Sequence, residues 1–166
     1  MAEIDIQIRA AAAADSSRLI DIWRGSVRAT HGFLTQDDFD QIDAELRERY
    51  FPVASLWVAT DGRRRPVGFI GLTESHIDTL FIDPAWRGKG VGRRLIAHAI
   101  RLRGALTVEV NEQNPQAVAF YQRMGFATAR RSALDGAGRP YPLLYMSRPA
   151  ASASSGAAPV RTGRQP

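Results

Sequence analysis

The chain has 166 residues, 45% hydrophobic and 23% charged, with a formal charge of +5 and no cysteine. That length supports one core rather than two, and charges interrupt the apolar runs well short of a membrane span, so a single domain over residues 1–148 is expected, with no membrane partner. The absence of cysteine excludes disulfides, thiolate metal sites and a cysteine nucleophile; no metal is expected.

In chain order, Ile4, Ile6 and Ile8 alternate as in a strand, and residues 11–28 carry Leu19, Ile22, Trp23 and Val27 at helical spacing. A second helix is expected over 36–50. Strands at 56–60 and 66–73 flank Asp61-Gly62 and predict an antiparallel hairpin. A strand over 77–82 stops at Asp83-Pro84, a helix follows over 91–102, and 106–110 returns as a strand. Strand, helix and strand make a βαβ unit, which requires parallel pairing. Asn114-Pro115 predicts the next helix start and Gly125 its end, before strands at 127–132 and 143–147 complete a mixed sheet. The Ala/Ser/Gly/Pro-rich segment 149–166 has too little apolar surface to offset its ordering entropy and is expected to be a disordered tail. The N-terminus is acidic and has no apolar signal region, so a cytoplasmic location is expected.

Between the 77–82 strand and the 91–102 helix lies Arg87-Gly88-Lys89-Gly90-Val91-Gly92. Glycines let a backbone approach a ligand and turn its N–H groups toward it, and a helix N-terminus adds positive potential, so the segment predicts a pyrophosphate cradle. A Walker A loop needs Gly-Lys-Ser/Thr, which is absent. A dinucleotide fingerprint places its third glycine where Arg93 stands; Glu109 lies about where a ribose-binding acid would, which weakens that reading without eliminating it.

R-x-x-G-x-G at the head of a crossover helix resembles the coenzyme A signature of the GNAT superfamily of N-acetyltransferases. Asn114, Ala117, Phe120-Tyr121 and Gly125-Phe126 are similar to that family's second block, and Thr30-His31, residues 80–84, 111–114 and 140–144 resemble bacterial YjaB-like members. The resemblance implies an α/β fold, a splayed mixed sheet flanked by about four helices. It also implies acetyl-CoA as cosubstrate, an unidentified amine as acceptor, and direct attack of that amine on the thioester in a ternary complex. The backbone of Gly88, Lys89, Gly90, Val91, Gly92 and Arg93 would hold the pyrophosphate, with Arg87 and Arg94 as further cations. The strand edge at Leu80, Phe81 and Ile82 would pair with pantetheine, and Asn114 would donate to it while capping its helix.

An alkylammonium is less than about a thousandth free base at pH 7, so deprotonation costs roughly 4–5 kcal/mol and a base or desolvation must help. His76 is the first candidate base, with Glu74, Glu109 or Glu112 acting through water as alternatives and His31 as a weaker one. His98 is expected at the surface. Tyr121 matches the family's tyrosine near the coenzyme sulfur and is expected to donate a hydrogen bond to the forming thiolate. Trp23, Phe33 and Trp57 are either acceptor-site walls or core, and Asp37, Asp38 and Glu74 are acids that attract a cationic amine. A non-catalytic acyl-CoA sensor on the same fold is the alternative function. No helix-turn-helix, RNA-recognition or zinc signature points to a nucleic-acid partner, and monomer and homodimer are equally compatible with the sequence.

Overall fold

A computed structural model describes residues 4–150 of the chain; the expected tail lies outside the described residues from position 151 onward. Strands β1 (Gln7–Ala10), β2 (Ser55–Thr60), β3 (Pro66–Thr73), β4 (His76–Ile82), β5 (Leu106–Asn111), β6 (Ala127–Ser132) and β7 (Leu143–Arg148) form one sheet in the order β1-β2-β3-β4-β5-β7-β6. All neighbours are antiparallel except β4 and β5, the pair joined by the crossover helix. The helices are α1 (Ser16–Thr30), α2 (Gln36–Glu45), α3 (Val91–Arg103) and α4 (Pro115–Arg123). The expected second helix does reach Tyr50, but its last turn, Leu46–Tyr50, is a π turn.

Alternation along the strands divides the apolar residues between two faces. Ile70, Ile77, Val108 and Val110 meet Val91, Leu95, Ile96 and Ala99 of α3 and Tyr121 of α4 on one side. Val58, Phe69 and Leu56 meet Leu19, Ile22, Trp23 and Val27 of α1 and Phe39 of α2 on the other. Trp57 and His98 belong to the first layer, with ring centroids 5.8 Å apart. Trp57 is therefore a core residue and no wall of a site. His98 is half-buried, against the surface placement expected, because its helix turns that face onto β2; its Nε2 is buried and unpaired among the described residues.

Two features of the sheet position the site. Gly71 pairs with Thr79 but Leu72 pairs with Ile77, so Asp78 is an extra residue, a bulge that bends β4. Tyr50, at the end of the π turn, fills the space above Gly71, and its hydroxyl lies 3.1 Å from Thr79 Oγ1 and 3.3 Å from Asp78 Oδ2. A Cβ on Gly71 would stand 1.9 Å from that hydroxyl. Gly71→Ala is therefore expected to expel Tyr50 and cost about 1–3 kcal/mol, read as a Tm lowered by roughly 3–10 °C. Adding Tyr50→Phe should recover part of the loss; an unchanged Tm in Gly71→Ala alone would contradict the inserted hydroxyl.

Candidate active site

β4 and β5 are paired only at His76–Thr107 and Ile77–Val108. Past Ile77 the strands part, and the edge of β4 turned toward β5 has no strand partner over Leu80, Phe81 and Ile82. The gap opens into a cavity of about 520 Å³ lined by those three residues, by Arg87, Gly88, Gly90, Val91, Gly92 and Arg93, and by Asn114, Phe120 and Tyr121 of the α4 region. Nearly every cofactor residue expected from the sequence is thus brought to one place. Lys89 is the exception, since its ammonium sits 4.9 Å over the Trp86 ring and it does not line the cavity. Arg94 is also turned away, donating from Nη1 to the Ile6 carbonyl at 3.1 Å.

The loop ahead of α3 is held from behind. Arg18 of α1 donates to the Pro66 carbonyl at 3.0 Å and to the Asp83 carboxylate at 2.5 Å, while Asp83 accepts from the Ala85 amide at 2.9 Å. Gly88 and Gly90 have φ of +70° and +81°, a region disfavoured for residues with a Cβ. A Cβ at either would meet nothing within 4 Å. Internal packing therefore does not require these glycines; the left-handed turn does, and it leaves open room beside the helix terminus. The first α3 amide to bond into the helix is that of Arg94, to the Gly90 carbonyl at 3.1 Å, which leaves the preceding amides without an intrahelical acceptor. Open room, unspent amides and three lining arginines, Arg87, Arg93 and Arg123, fit a polyphosphate ligand.

Asn114 is buried, and its Oδ1 accepts from the Ala117 amide at 3.2 Å, as its N-cap position predicts, so its NH₂ is free to donate. Tyr121 is 7% exposed, and its hydroxyl makes no hydrogen bond to a described residue. Burial pushes its phenol well above the ordinary tyrosine range.

A second cavity, about 270 Å³, adjoins the first on the α1–α2 side of the sheet. His31, Ile77, Asp78, Phe81, Glu109 and Asn111 line both. His76 lines only the smaller one, with Nδ1 2.8 Å from Thr107 Oγ1, so His76 and Tyr121 face different chambers. Glu74 is exposed in the β3–β4 turn, and Glu112 is tied to Arg131 on the surface; neither lines a cavity. Glu109 does, on the sheet face opposite Val108 and Val110.

Trp23, Val27, Leu34, Ile42 and Leu143 give the smaller cavity apolar walls, while Phe33 stands behind, its ring 5.2 Å from His31 and 5.8 Å from Tyr141. The wall opposite α1 is the β6–β7 connection, residues 133–142, which contributes Asp135, Gly136 and Tyr141. Its fastening was not visible in the sequence. The Tyr141 hydroxyl donates to the Asp38 carboxylate, which is thereby held below the usual range. Arg139 stands 3.5 Å from Asp38, 3.6 Å from Glu45 and 3.3 Å from Asp135. Asp38 therefore holds a wall in place and does not line the cavity itself; Asp37 is exposed.

His31 follows the last turn of α1. Burial, with the Arg87 guanidinium adding to it, pushes its imidazole down to about 4. In the unfolded chain the same group charges near 6.5. Between those values the unfolded state binds the extra proton, so the stability tied to neutral His31 is complete above about pH 6.5 and is lost as pH falls toward 4. The Tm is expected to fall across that window, and His31→Gln should remove part of the slope. His98, lowered by burial and by Arg101, contributes with the same sign, and the lowered carboxylates of Asp15, Asp38, Asp43 and Glu112 add to the loss at the acid end. An unaltered slope in His31→Gln would contradict the buried neutral imidazole.

Among the described residues no helix is long and apolar enough to cross a membrane, and no group of three or more His, Asp or Glu is placed to hold a metal ion. A family model described as an acetyltransferase (GNAT) domain matches residues 29–138. The chain is 48% identical over 144 residues to the peptidyl-lysine N-acetyltransferase YjaB of Salmonella typhimurium, covering 87% of this chain and 99% of that one. It is 46% identical over 141 residues to its Escherichia coli counterpart, covering 85% and 95%. The solution structure of apo-form YjaB from Escherichia coli superposes with a TM-score of 0.82 at 45% identity, over 89% of this chain and 99% of that one. The PaiA N-acetyltransferase of Thermoplasma acidophilum, solved in complex with coenzyme A, shares the fold at a TM-score of 0.72 and 19% identity, over 87% and 99%. The gap between two parallel strands, the glycine cradle at a helix head and this similarity over most of the chain lead to one conclusion: the chain belongs to the GNAT family of acetyltransferases, enzymes that move the acetyl group of acetyl-CoA to an amine.

Proposed function

We propose that the acceptor is the side-chain amine of lysine in a peptide or protein, and that it attacks acetyl-CoA directly in a ternary complex. The observation that carries this reading is the smaller cavity. Trp23, Val27, Leu34, Ile42 and Leu143 give it an apolar stretch of wall, the acids Asp78, Glu109 and Asp135 also line it, the first two where it meets the larger cavity, and no lysine or arginine lines it among the described residues. A lysine side chain has that polarity, an aliphatic stem ending in a cation. Two relatives at 46–48% identity named as peptidyl-lysine N-acetyltransferases support the same acceptor.

In this reading the amides of residues 88–93, with Arg87 and Arg93, bind the pyrophosphate, and the free edge of β4 takes the pantetheine arm as an added strand. The Asn114 NH₂ donates to that arm. Glu109 lines both cavities and His76 only one, which favours Glu109, directly or through water, over His76 as the group that takes the amine proton. The amine nitrogen then forms its bond to the thioester carbonyl carbon, the carbon–sulfur bond breaks with its electron pair leaving on sulfur, where the Tyr121 hydroxyl donates a hydrogen bond, and the nitrogen gives up its second extra proton to water as the neutral amide forms. Holding both reactants in adjoining chambers supplies the proximity that a covalent enzyme intermediate would otherwise provide.

The test offers the full chain acetyl-CoA with three acceptors: a peptide whose only amine is a lysine side chain, a peptide whose only amine is its N-terminus, and a short diamine. Thiol release and mass spectrometry read the outcome. Acetylation of the lysine peptide at well above the rate of the other two is expected. Preference for either of the others would overturn the acceptor assignment, and binding of acetyl-CoA with no release to any amine would reduce the protein to a sensor.

A further inference from the structure

We infer that His31 positions the acceptor amine, offering the lone pair of Nε2 to one of its N–H groups at the junction of the two cavities. The inference rests on the lysine-acceptor reading and deepens it.

Hydrogen-bond accounting fixes the tautomer. Thr30 Oγ1 lies 2.7 Å from the Ser26 carbonyl, and because a carbonyl only accepts, the single Thr30 hydroxyl proton is committed there. His31 Nδ1 lies 2.7 Å from the same Thr30 oxygen. That oxygen has no second proton to give, so Nδ1 carries the hydrogen and donates it. Nε2 is then the unprotonated nitrogen, and it has no partner among the described residues. His31 lines both cavities and its Nδ1 is held by Thr30, so Nε2 is the ring nitrogen left for a ligand at their junction. The Phe33 ring beside it, 5.2 Å away and itself 5.8 Å from Tyr141, limits rotation of the imidazole.

The groups that face the same junction separate His31 from the proton-accepting role. Arg87 approaches from the loop ahead of α3, Asp78 from β4, and Glu109 with Asn111 from β5. A cation nearby and partial burial disfavour a second proton on the ring. His31 therefore stays a neutral acceptor that fixes one amine N–H, and Glu109 takes the proton that must leave. His31 is a positioning residue, and its effect should appear with the amine and not with acetyl-CoA.

Three variants of the full chain decide the matter, with a lysine peptide as acceptor at saturating acetyl-CoA. His31→Phe keeps a planar ring and removes the acceptor; kcat/KM for the peptide is expected to fall about 10–100-fold, with the Kd for coenzyme A unchanged. His31→Gln places an amide oxygen near the position of Nε2 and should regain most of that loss, with the acid limb of the pH–rate profile where the wild type has it. Thr30→Val frees the tautomer and should cost about 3–10-fold. Activity of His31→Phe equal to wild type, no recovery in His31→Gln, or an acid limb displaced in His31→Gln would each overturn the inference. If His31→Phe does not fold, the pH profile of His31→Gln and the rate of Thr30→Val still decide. A wild-type protein that releases no thiol with the lysine peptide would instead remove the acceptor reading itself, so the two failures are distinguishable.

Discussion

Tyr121→Phe is expected to lower kcat by about 10²–10³-fold while leaving the Kd for acetyl-CoA within about threefold, because the only group removed is one that meets charge formed during the reaction. The phenol is buried, and burial disfavours its anion. In reference conditions protonating a thiolate from a phenol is already uphill by about 2 kcal/mol, and the raised phenol makes it steeper. On the proposed mechanism the hydroxyl therefore donates a hydrogen bond and keeps its proton, and the thiolate is protonated later by solvent. Stopped-flow detection of thiol release with titrated acetyl-CoA checks both halves of the prediction. A variant that loses acetyl-CoA affinity in proportion to rate would show Tyr121 to be a packing residue of the α4 face.

Gly90→Val is expected to act in the opposite manner, weakening acetyl-CoA about 10–100-fold with a modest loss of stability. The left-handed φ of +81° costs a β-branched residue roughly 1–3 kcal/mol. The added side chain meets nothing in the protein, so it enters the room beside the α3 terminus where a pyrophosphate is expected. Hydrogen bonds from amides to a charged group are worth about 1.5–3 kcal/mol each, and losing one accounts for the affinity change. Calorimetric titration with coenzyme A and with dephosphorylated pantetheine separates the effects: the first should weaken and the second should not. Equal weakening of both would place the pyrophosphate elsewhere.

The residues around the larger cavity were legible because most of them are written in local signals. Glycine spacing, an Asn-Pro helix start and strand alternation each act over a few residues, and Gly88, Gly90 and Asn114 stand where those signals put them; Tyr121, taken from the family resemblance, lines the same cavity. The acceptor half was not, because it is assembled from contacts remote in sequence. Tyr50 reaches Asp78 across 28 positions, and Tyr141 reaches Asp38 across 103. No periodicity marks either pair. His98 was misplaced for a related reason: its helix carries two arginines at each end, yet one face lies on β2 and draws the imidazole against Trp57. Lys89 was drawn toward the phosphate by its place in the motif, but the neighbouring indole offers its ammonium a nearer partner. The bulge at Asp78, which carries a carboxylate into the junction of the cavities, leaves no trace in composition.

The fastening of residues 133–142 has an evolutionary consequence. That segment reaches α2 through the Arg139 and Tyr141 side chains, and it touches neither the cradle ahead of α3 nor the free edge of β4. If the smaller cavity takes the amine as proposed, substitutions there should change which amine is admitted while leaving acetyl-CoA binding largely alone, so that selection can act on acceptor choice with little cost to the coenzyme side. Exchanging this one surface segment, together with its two anchors on α2, is accordingly a route by which a descendant of this enzyme changes substrate while inheriting its catalytic chemistry intact.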